Sequence, residues 1–294
     1  MTDAPAARHG HVHDDFDWAA SAARLADWDE LEQGRNQEIV DWLDVAPGHL
    51  VVDVGSGAGG MAAALLGAVG TTGTVVIVDG ARELLAVARQ RVERPDHNLV
   101  AVHADLEQGS LSSMLDVGPV DLVHASSVVH HLDDELAAIR DLAAVVRPGG
   151  RVVVAEGGLG TRFLPDDCGI GEPGLEHRLA AAHDAWFWSE VRPAGATVRT
   201  GQGWNVLLGE AGLVDVAVRS FLLDLPPLLD ESTRRVVRAT LAGQAAWTDE
   251  RLDRDDRATL ARLLDDDDDP QSIMRRRDVY VLGVRTVHVG TVPG

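Results

Sequence analysis

The chain has 294 residues, 47 acidic against 26 basic, a formal net charge of −21 and one cysteine, Cys168. That length can bury a sizeable core in one large or two small domains, while the negative charge opposes binding to the phosphate backbone of a nucleic acid. A lone cysteine excludes an internal disulfide and any multi-cysteine metal site. No apolar run approaches the roughly 18 residues of a membrane span, and the polar start lacks an apolar signal region, so a cytoplasmic protein without membrane contact is expected. Every basic residue is arginine, a usage that fits a GC-rich bacterial genome.

Residues 14–43, with Trp18, Trp28 and Trp42, read as a helical N-terminal segment. Strand and helix signals then alternate. Nearly unbroken β-branched runs at Leu50–Val54, Thr74–Val78, Leu99–His103, Val120–His124 and Arg151–Ala155 predict strands buried on both faces, with helices at Met61–Val69, Arg82–Glu93 and Asp134–Val146 between them. Such alternation predicts a mostly parallel sheet wrapped by helices. From Gly157 to Pro173 the pattern turns irregular, and Gly174–Val191 reads as one helix carrying Trp186, Phe187 and Trp188, an expected lid. A helix at Gly203–Ala211, a strand at Val214–Leu225, helices at Glu231–Trp247 and Arg254–Leu264 and a last strand at Val279–Val289 complete the reading. The expected divisions are a helical cap segment (1–45), a cofactor-binding core (46–158), a lid and substrate-binding insertion (159–210) and closing strands with intervening helices (211–294).

The most informative stretch is Asp53-Val54-Gly55-Ser56-Gly57-Ala58-Gly59-Gly60, where the first strand runs through glycines into a helix. A turn of that kind lets a cofactor approach the backbone outside the carboxyl end of the strand. Its spacing fits two patterns, the dinucleotide fingerprint through Gly55, Gly57 and Gly60, and an S-adenosylmethionine pattern through Asp53, Gly55, Gly57 and Gly59. Asp79, ending the second strand, suits a ribose in either case.

Further stations separate the two. His103-Ala104-Asp105-Leu106 ends the third strand, and Ala125-Ser126-Ser127-Val128-Val129-His130-His131-Leu132-Asp133-Asp134-Glu135 follows the fourth. Arg147-Pro148-Gly149-Gly150 and Trp204-x-x-Leu207-Leu208-x-x-Ala211-Gly212-Leu213 come next. Together with the glycine loop, over roughly residues 35 to 225, these motifs make the chain resemble the class I S-adenosylmethionine-dependent methyltransferases. The resemblance implies a Rossmann-like α/β fold with a seven-stranded, mostly parallel sheet. Its last strand would be antiparallel and inserted between the fifth and sixth, with helices on both faces, N-terminal helices and a helical lid. It also implies S-adenosylmethionine as cofactor. Gly55, Ser56, Gly57 and Gly59 would lie beneath the methionine moiety, Asp53 would help hold its ammonium, and Asp79 with Gly80 would take the ribose. Ala81 and Arg82 would flank the adenine, Asp105 and Leu106 would hold its edge, and Ala125 and Ser126 would line the wall near the sulfonium.

For the chemistry, His130 and His131 follow the fourth strand within reach of the transferred methyl group. Imidazole has the right basicity to take a phenol or alcohol proton at neutral pH. The string from Val129 to Glu135 resembles the stretch in small-molecule O-methyltransferases whose first histidine is the base, which aligns with His130; Leu132 stands where that subgroup has Trp. Trp18, Trp28, His183, Trp186 and Phe187 are candidates to contact the acceptor. No metal is expected: His9, His11 and His13 sit in a polar terminus, and the Asp265–Asp269 run lacks the ligand spacing and turn glycine of a calcium loop. The expected function is methyl transfer from S-adenosylmethionine to a small, apolar or aromatic metabolite, with oxygen the favoured acceptor, in a monomer or homodimer. Alternatives are N- or C-methylation in secondary metabolism, a cofactor-binding cyclase or binding module, and, remotely, an NAD-linked oxidoreductase. The last is opposed by the lack of lysine and the single tyrosine, Tyr280.

Overall fold

The computed structural model describes residues 18–193, 197–198, 200–265 and 269–294. The histidines of the N-terminal tail and part of the Asp265–Asp269 run lie outside them. Two helices come first, α1 (Trp18–Leu31) and α2 (Gln33–Trp42), with the break between them at Glu32. The side chain of Glu32 is drawn inward instead, accepting from the Trp28 indole (2.6 Å), from Arg35 and from Arg285 (2.8 Å).

The remaining elements are β1 (Leu50–Val54), α3 (Gly60–Val69), β2 (Thr74–Asp79), α4 (Arg82–Val92), β3 (Asn98–His103), α5 (Leu111–Met114), β4 (Val120–Ser126) and α6 (Glu135–Ala144). They continue with β5 (Val146–Arg162), α7 (Leu175–Trp186), α8 (Trp204–Glu210), β6 (Val214–Leu225), α9 (Glu231–Thr248), α10 (Arg254–Leu263) and β7 (Val281–Thr291). The sheet order is β3-β2-β1-β4-β5-β7-β6, with β1 to β5 parallel and β7 antiparallel to both neighbours, as the family resemblance implies. The chain leaves β1 toward β2 on one side and returns to β4 on the other. That reversal opens a crevice at the carboxyl ends of β1 and β4, where ligands bind in open α/β sheets.

Apolar cores fill both faces. Val51, Val75, Ile77, Leu122 and Val153 pack under α2, α3 and α4, whereas Val52, Val76, Val123, Val152 and Val154 pack under α5, α6 and α8. A third core lies beyond the carboxyl end of β5. Phe163 and Leu164 join Leu175 and Leu179 of α7, Val237 and Leu241 of α9, and Leu260 and Leu263 of α10. The lid helix therefore shares its core with the two helices between β6 and β7.

Two expectations are corrected. The segment after Glu156 is not irregular at once, because β5 continues to Arg162 along β7, with register shifts between Ala155 and Gly158 and between Leu159 and Arg162. Gly158 sits there at φ +115°, and a Cβ would strike the Val284 carbonyl oxygen at 2.0 Å, so only glycine lets the strands stay paired. The lid helix also changes pitch: α7 stops at Trp186 and a π turn occupies Phe187–Val191. No helix among the described residues is long and apolar enough to cross a membrane.

Asp29 of α1 anchors the N-terminal helices to this frame. Its carboxylate accepts from the Gly60 backbone N–H at the start of α3 and from Arg91 of α4, each at 2.9 Å. Burial pushes its pKa up from 3.8 to about 6, against the opposing pull of Arg91. The folded chain thus holds a proton there at pH values where the unfolded chain has released it. This contribution to stability is present at low pH and is lost as pH rises through about 6. In urea unfolding, the wild-type advantage over Asp29→Asn should fall by about 1 kcal/mol between pH 5 and pH 7. Parallel curves for the two proteins would show that Asp29 does not titrate in that window.

Candidate functional site

The glycine loop leaves β1 with almost every backbone donor committed to the protein. Gly55 and Ser56 N–H donate to the Val78 carbonyl (2.8 and 3.0 Å), Gly57 N–H to Asp79 Oδ2 (2.9 Å), Gly59 N–H to the Ser56 carbonyl (2.9 Å) and Gly60 N–H to Asp29. The three glycines of the motif are needed for different reasons. At Gly55 (φ +65°) a Cβ would meet Val128 at 2.1 Å, and at Gly59 (φ +94°) it would meet Val92 at 2.7 Å; at Gly57 (φ +53°) it would enter open space. Two of them keep protein packing close. Gly57 faces the crevice.

Below the loop, Asp53 pairs with His124 across β1 and β4, Oδ1 to Nδ1 at 2.8 Å, both buried. Asp53 Oδ2 and Ser56 Oγ are also buried and have no hydrogen-bond partner among the described residues. At the end of β2, Asp79 accepts from Gly57 and from Ala81 N–H (2.8 Å), joining loop and strand end. Gly80 and Asp105 lie side by side, and the Gly80 carbonyl contacts His103 Nε2 at 2.9 Å. Asp105 folds its carboxylate onto Glu107 N–H and the Gln108 amide, Leu106 rests partly buried on the neighbouring core, and Arg82 is exposed. Trp18 packs with Ala22 against Ala81 and Leu84, which sets it beside the expected adenine position.

At the end of β4 the chain turns sharply. Ala125 is fully buried within a core, so its backbone rather than its methyl meets the crevice, and Ser126 is half-buried. Ser127 adopts φ +55°, a left-handed conformation costly for a non-glycine residue, and a short 3-10 turn follows at Val129–His131. Glu156 of β5 organises this turn. One carboxylate oxygen accepts from Val128 and Val129 N–H (2.9 and 3.0 Å), and the other contacts His130 Nδ1 at 2.7 Å. Glu156 is 4% exposed, whereas the His130 side chain is 29% exposed, so a buried acceptor holds an imidazole that reaches outward. His288 of β7 lies behind, its pKa pushed down by burial and held up in part by contact with Glu156.

The aromatic residues of the lid divide between two neighbourhoods. Phe187 reaches the histidine pair, with ring centroids 5.5 Å from His130 and 5.9 Å from His131, and the two imidazoles are 4.1 Å apart. Trp186 instead packs at a tilt against Trp247 of α9 (4.7 Å) and against the exposed His183 (5.6 Å). Trp28 packs edge-on against Phe163 at 6.1 Å, and its indole N–H is taken by Glu32, which places it in the wall between α1 and β5. Of the expected acceptor contacts, Phe187 is the one brought to His130 and His131. Residues without a motif, Glu156 and Arg192, prove central: Arg192 is 2% exposed and donates to the His130 carbonyl at 3.0 Å.

Residues 51–150, from β1 to the start of β5 proper, match the methyltransferase domain family. Over its cofactor-binding core the chain is thus similar to methyltransferases, in keeping with the resemblance its motifs carry. A protein of Streptomyces fradiae encoded in transposon TN4556 is 34% identical over 119 residues, covering 40% of this chain and 33% of its own. A demethylmenaquinone methyltransferase of Bacillus cereus is 29% identical over 120 residues, covering 41% of this chain and 49% of its own. The chain thus spans between a third and a half of these curated relatives. The cyclopropane-fatty-acyl-phospholipid synthase-like protein of Lactobacillus casei shares the fold, with a TM-score of 0.52 at 17% identity over 89% of this chain and 91% of its own.

The likeness to methyltransferases implies S-adenosylmethionine as the cofactor, and the residues fit it. A dinucleotide pyrophosphate would need free N–H groups at the loop and at the α3 N-terminus. Here those of Gly55, Ser56, Gly57 and Gly59 are spent on the protein, and the N–H of Gly60 is met by a carboxylate. The unpartnered carboxylate oxygen of Asp53, the Ser56 hydroxyl and the open face of Gly57 suit a cationic amino acid moiety instead. Gly57→Ala should cost only about 1 to 2 kcal/mol of stability yet weaken S-adenosylhomocysteine binding by roughly tenfold or more. Gly55→Ala, forced against Val128, should lose about 2 to 4 kcal/mol of stability. Calorimetry and chemical unfolding read the two separately, and unchanged affinity in Gly57→Ala would remove that residue from the cofactor site.

Proposed function

We propose that this methyltransferase transfers the methyl group to a hydroxyl oxygen of a small, apolar or aromatic acceptor, with His130 as general base. The His130–Glu156 contact carries the reading. A carboxylate locked by two backbone N–H groups accepts the Nδ1 hydrogen of His130, so the lone pair stands on Nε2, the edge away from the protein. An N- or C-acceptor that arrives with its lone pair or carbanion already available needs no such base; a hydroxyl does.

Bound S-adenosylmethionine supplies an electrophilic methyl group on a sulfonium, which the loop would place beside the end of β4. His130 Nε2 would take the proton of the acceptor hydroxyl as that oxygen receives the methyl group. The loop around Gly57, with Asp53, Asp79 and Asp105, would hold the donor, and His131 with Phe187 would present an aromatic edge to the acceptor. Positioning of this kind can supply on the order of 7 to 11 kcal/mol of barrier reduction. The net charge of −21 favours a small acceptor over a nucleic acid. The Bacillus cereus relative is named for demethylmenaquinone, an apolar quinone rather than a nucleic acid, which supports the size and polarity of the acceptor and not the choice of oxygen.

Incubation with methyl-labelled cofactor and hydroxylated aromatic metabolites should put label on oxygen. Recovery of label on nitrogen or carbon alone would overturn the O-methylation reading. His130→Ala should slow turnover roughly 10²- to 10⁴-fold with S-adenosylhomocysteine affinity unchanged. Glu156→Gln should do nearly as much, because its amide would donate to Nδ1 and leave the hydrogen on Nε2. Full activity in either variant would take the pair out of the mechanism.

A further inference from the structure

The guanidinium of Arg192 lies where residues 129–135 meet residues far away in sequence, the turn 187–192 with Val198 and Thr200. Nη1 donates to the His130 carbonyl at 3.0 Å and to Glu135, and Nη2 donates to the Val198 carbonyl at 3.1 Å. The second carboxylate oxygen of Glu135 accepts from the Thr200 hydroxyl at 3.2 Å, and Val198 N–H donates to the Asp133 carbonyl at 2.7 Å. Arg192 also ends the π turn, its own N–H donating to the Phe187 carbonyl at 2.9 Å, and Trp188 stands 6.0 Å from the guanidinium.

From these contacts we propose that Arg192 is a positioning residue that pins the lid turn Phe187–Val191 onto the backbone of His130. His130 is then held at two points, by its ring through Glu156 and by its carbonyl through Arg192. A planar fork suits such bridging, since one nitrogen spans the carbonyl and the carboxylate while the other takes a carbonyl on the lid side. The backbone N–H of the same residue holds the Phe187 carbonyl, which keeps the Phe187 ring beside the imidazole pair. Lysine, with one ammonium on a flexible stem, can keep the charge beside Glu135 but cannot serve both segments at once. The consequence for catalysis rests on the proposed role of His130, whereas the pin itself does not.

Hydrogen exchange and imidazole proton resonances of the full-length protein test the pin without any acceptor. In Arg192→Gln, amides of residues 129–133 and 187–192 should exchange about tenfold faster or more, the loss of a charged hydrogen bond, while those of α3 and α4 keep their rates. The ring-shifted resonances of His130 and His131 should move toward unstructured values as Phe187 withdraws. Arg192→Lys should recover only part of both effects. Because Glu135, half-buried, would be left beside a neutral amide, Arg192→Gln with Glu135→Gln serves as a second variant that removes the charges together. Faster exchange spread evenly over the whole chain, or unmoved histidine resonances in both variants, would overturn the proposal. A confirmed pin in a protein that labels no hydroxyl would reject the O-methylation reading and leave the pin standing.

Discussion

Much of the catalytic end of the molecule hangs on the placement of one buried carboxylate. Glu156 sits where β5 passes its last parallel partner, and its oxygens collect two backbone N–H groups and an imidazole. Without it, Val128 and Val129 would present unpaired donors in a buried turn, at a cost of about 1 to 3 kcal/mol each. The turn in turn supports the cofactor loop, since Val128 fills the space that a side chain at position 55 would claim. Donor site and candidate base are therefore coupled through one side chain in van der Waals contact with a glycine.

The cap above the sheet is a separate packing unit made from two insertions, one after β5 and one between β6 and β7. It meets the sheet through Leu223 of β6 and Val281 of β7 and through Glu176, which accepts from Phe163 and Leu164 N–H, while Arg178 grips Asp256 to join α7 to α10. Burial raises the pKa of Glu176, and those same donors pull it back. Such an arrangement allows the residues that face the acceptor to vary while the two sheet cores stay intact.

The strands were legible because β-branched runs buried on both faces leave an unbroken apolar signature, and Val214–Leu225 was delimited to the residue. The far half of β5 was not, since Gly157, Gly158 and Gly160 carry no strand propensity and pair only because β7 arrives from more than a hundred residues away. The glycine motif was visible, but its division of labour was not: Gly55 and Gly59 answer to Val128, Ala88 and Val92, neighbours that only the folded chain supplies. Glu156, Arg192 and Asp29 share that history. Each is a charged residue in unremarkable sequence, made important by partners 26 to 62 positions distant. Among the aromatic candidates Trp186, Phe187 and Trp188, the π turn decides that Phe187 meets the histidines.

The placement of β7 has a bearing on how the protein comes into being. Last of the strands to be synthesised, it lies inside the sheet, bonded on both edges to β5 and β6. Until residues 281–291 have left the ribosome, β6 has no neighbour, and the extended half of β5 has an open edge of the sort that recruits other chains. Assembly of the sheet must then wait for residues 281–291, with slow, long-range pairing to complete it. A nascent chain stalled before β7 should accordingly look for a chaperone, however complete its cofactor loop.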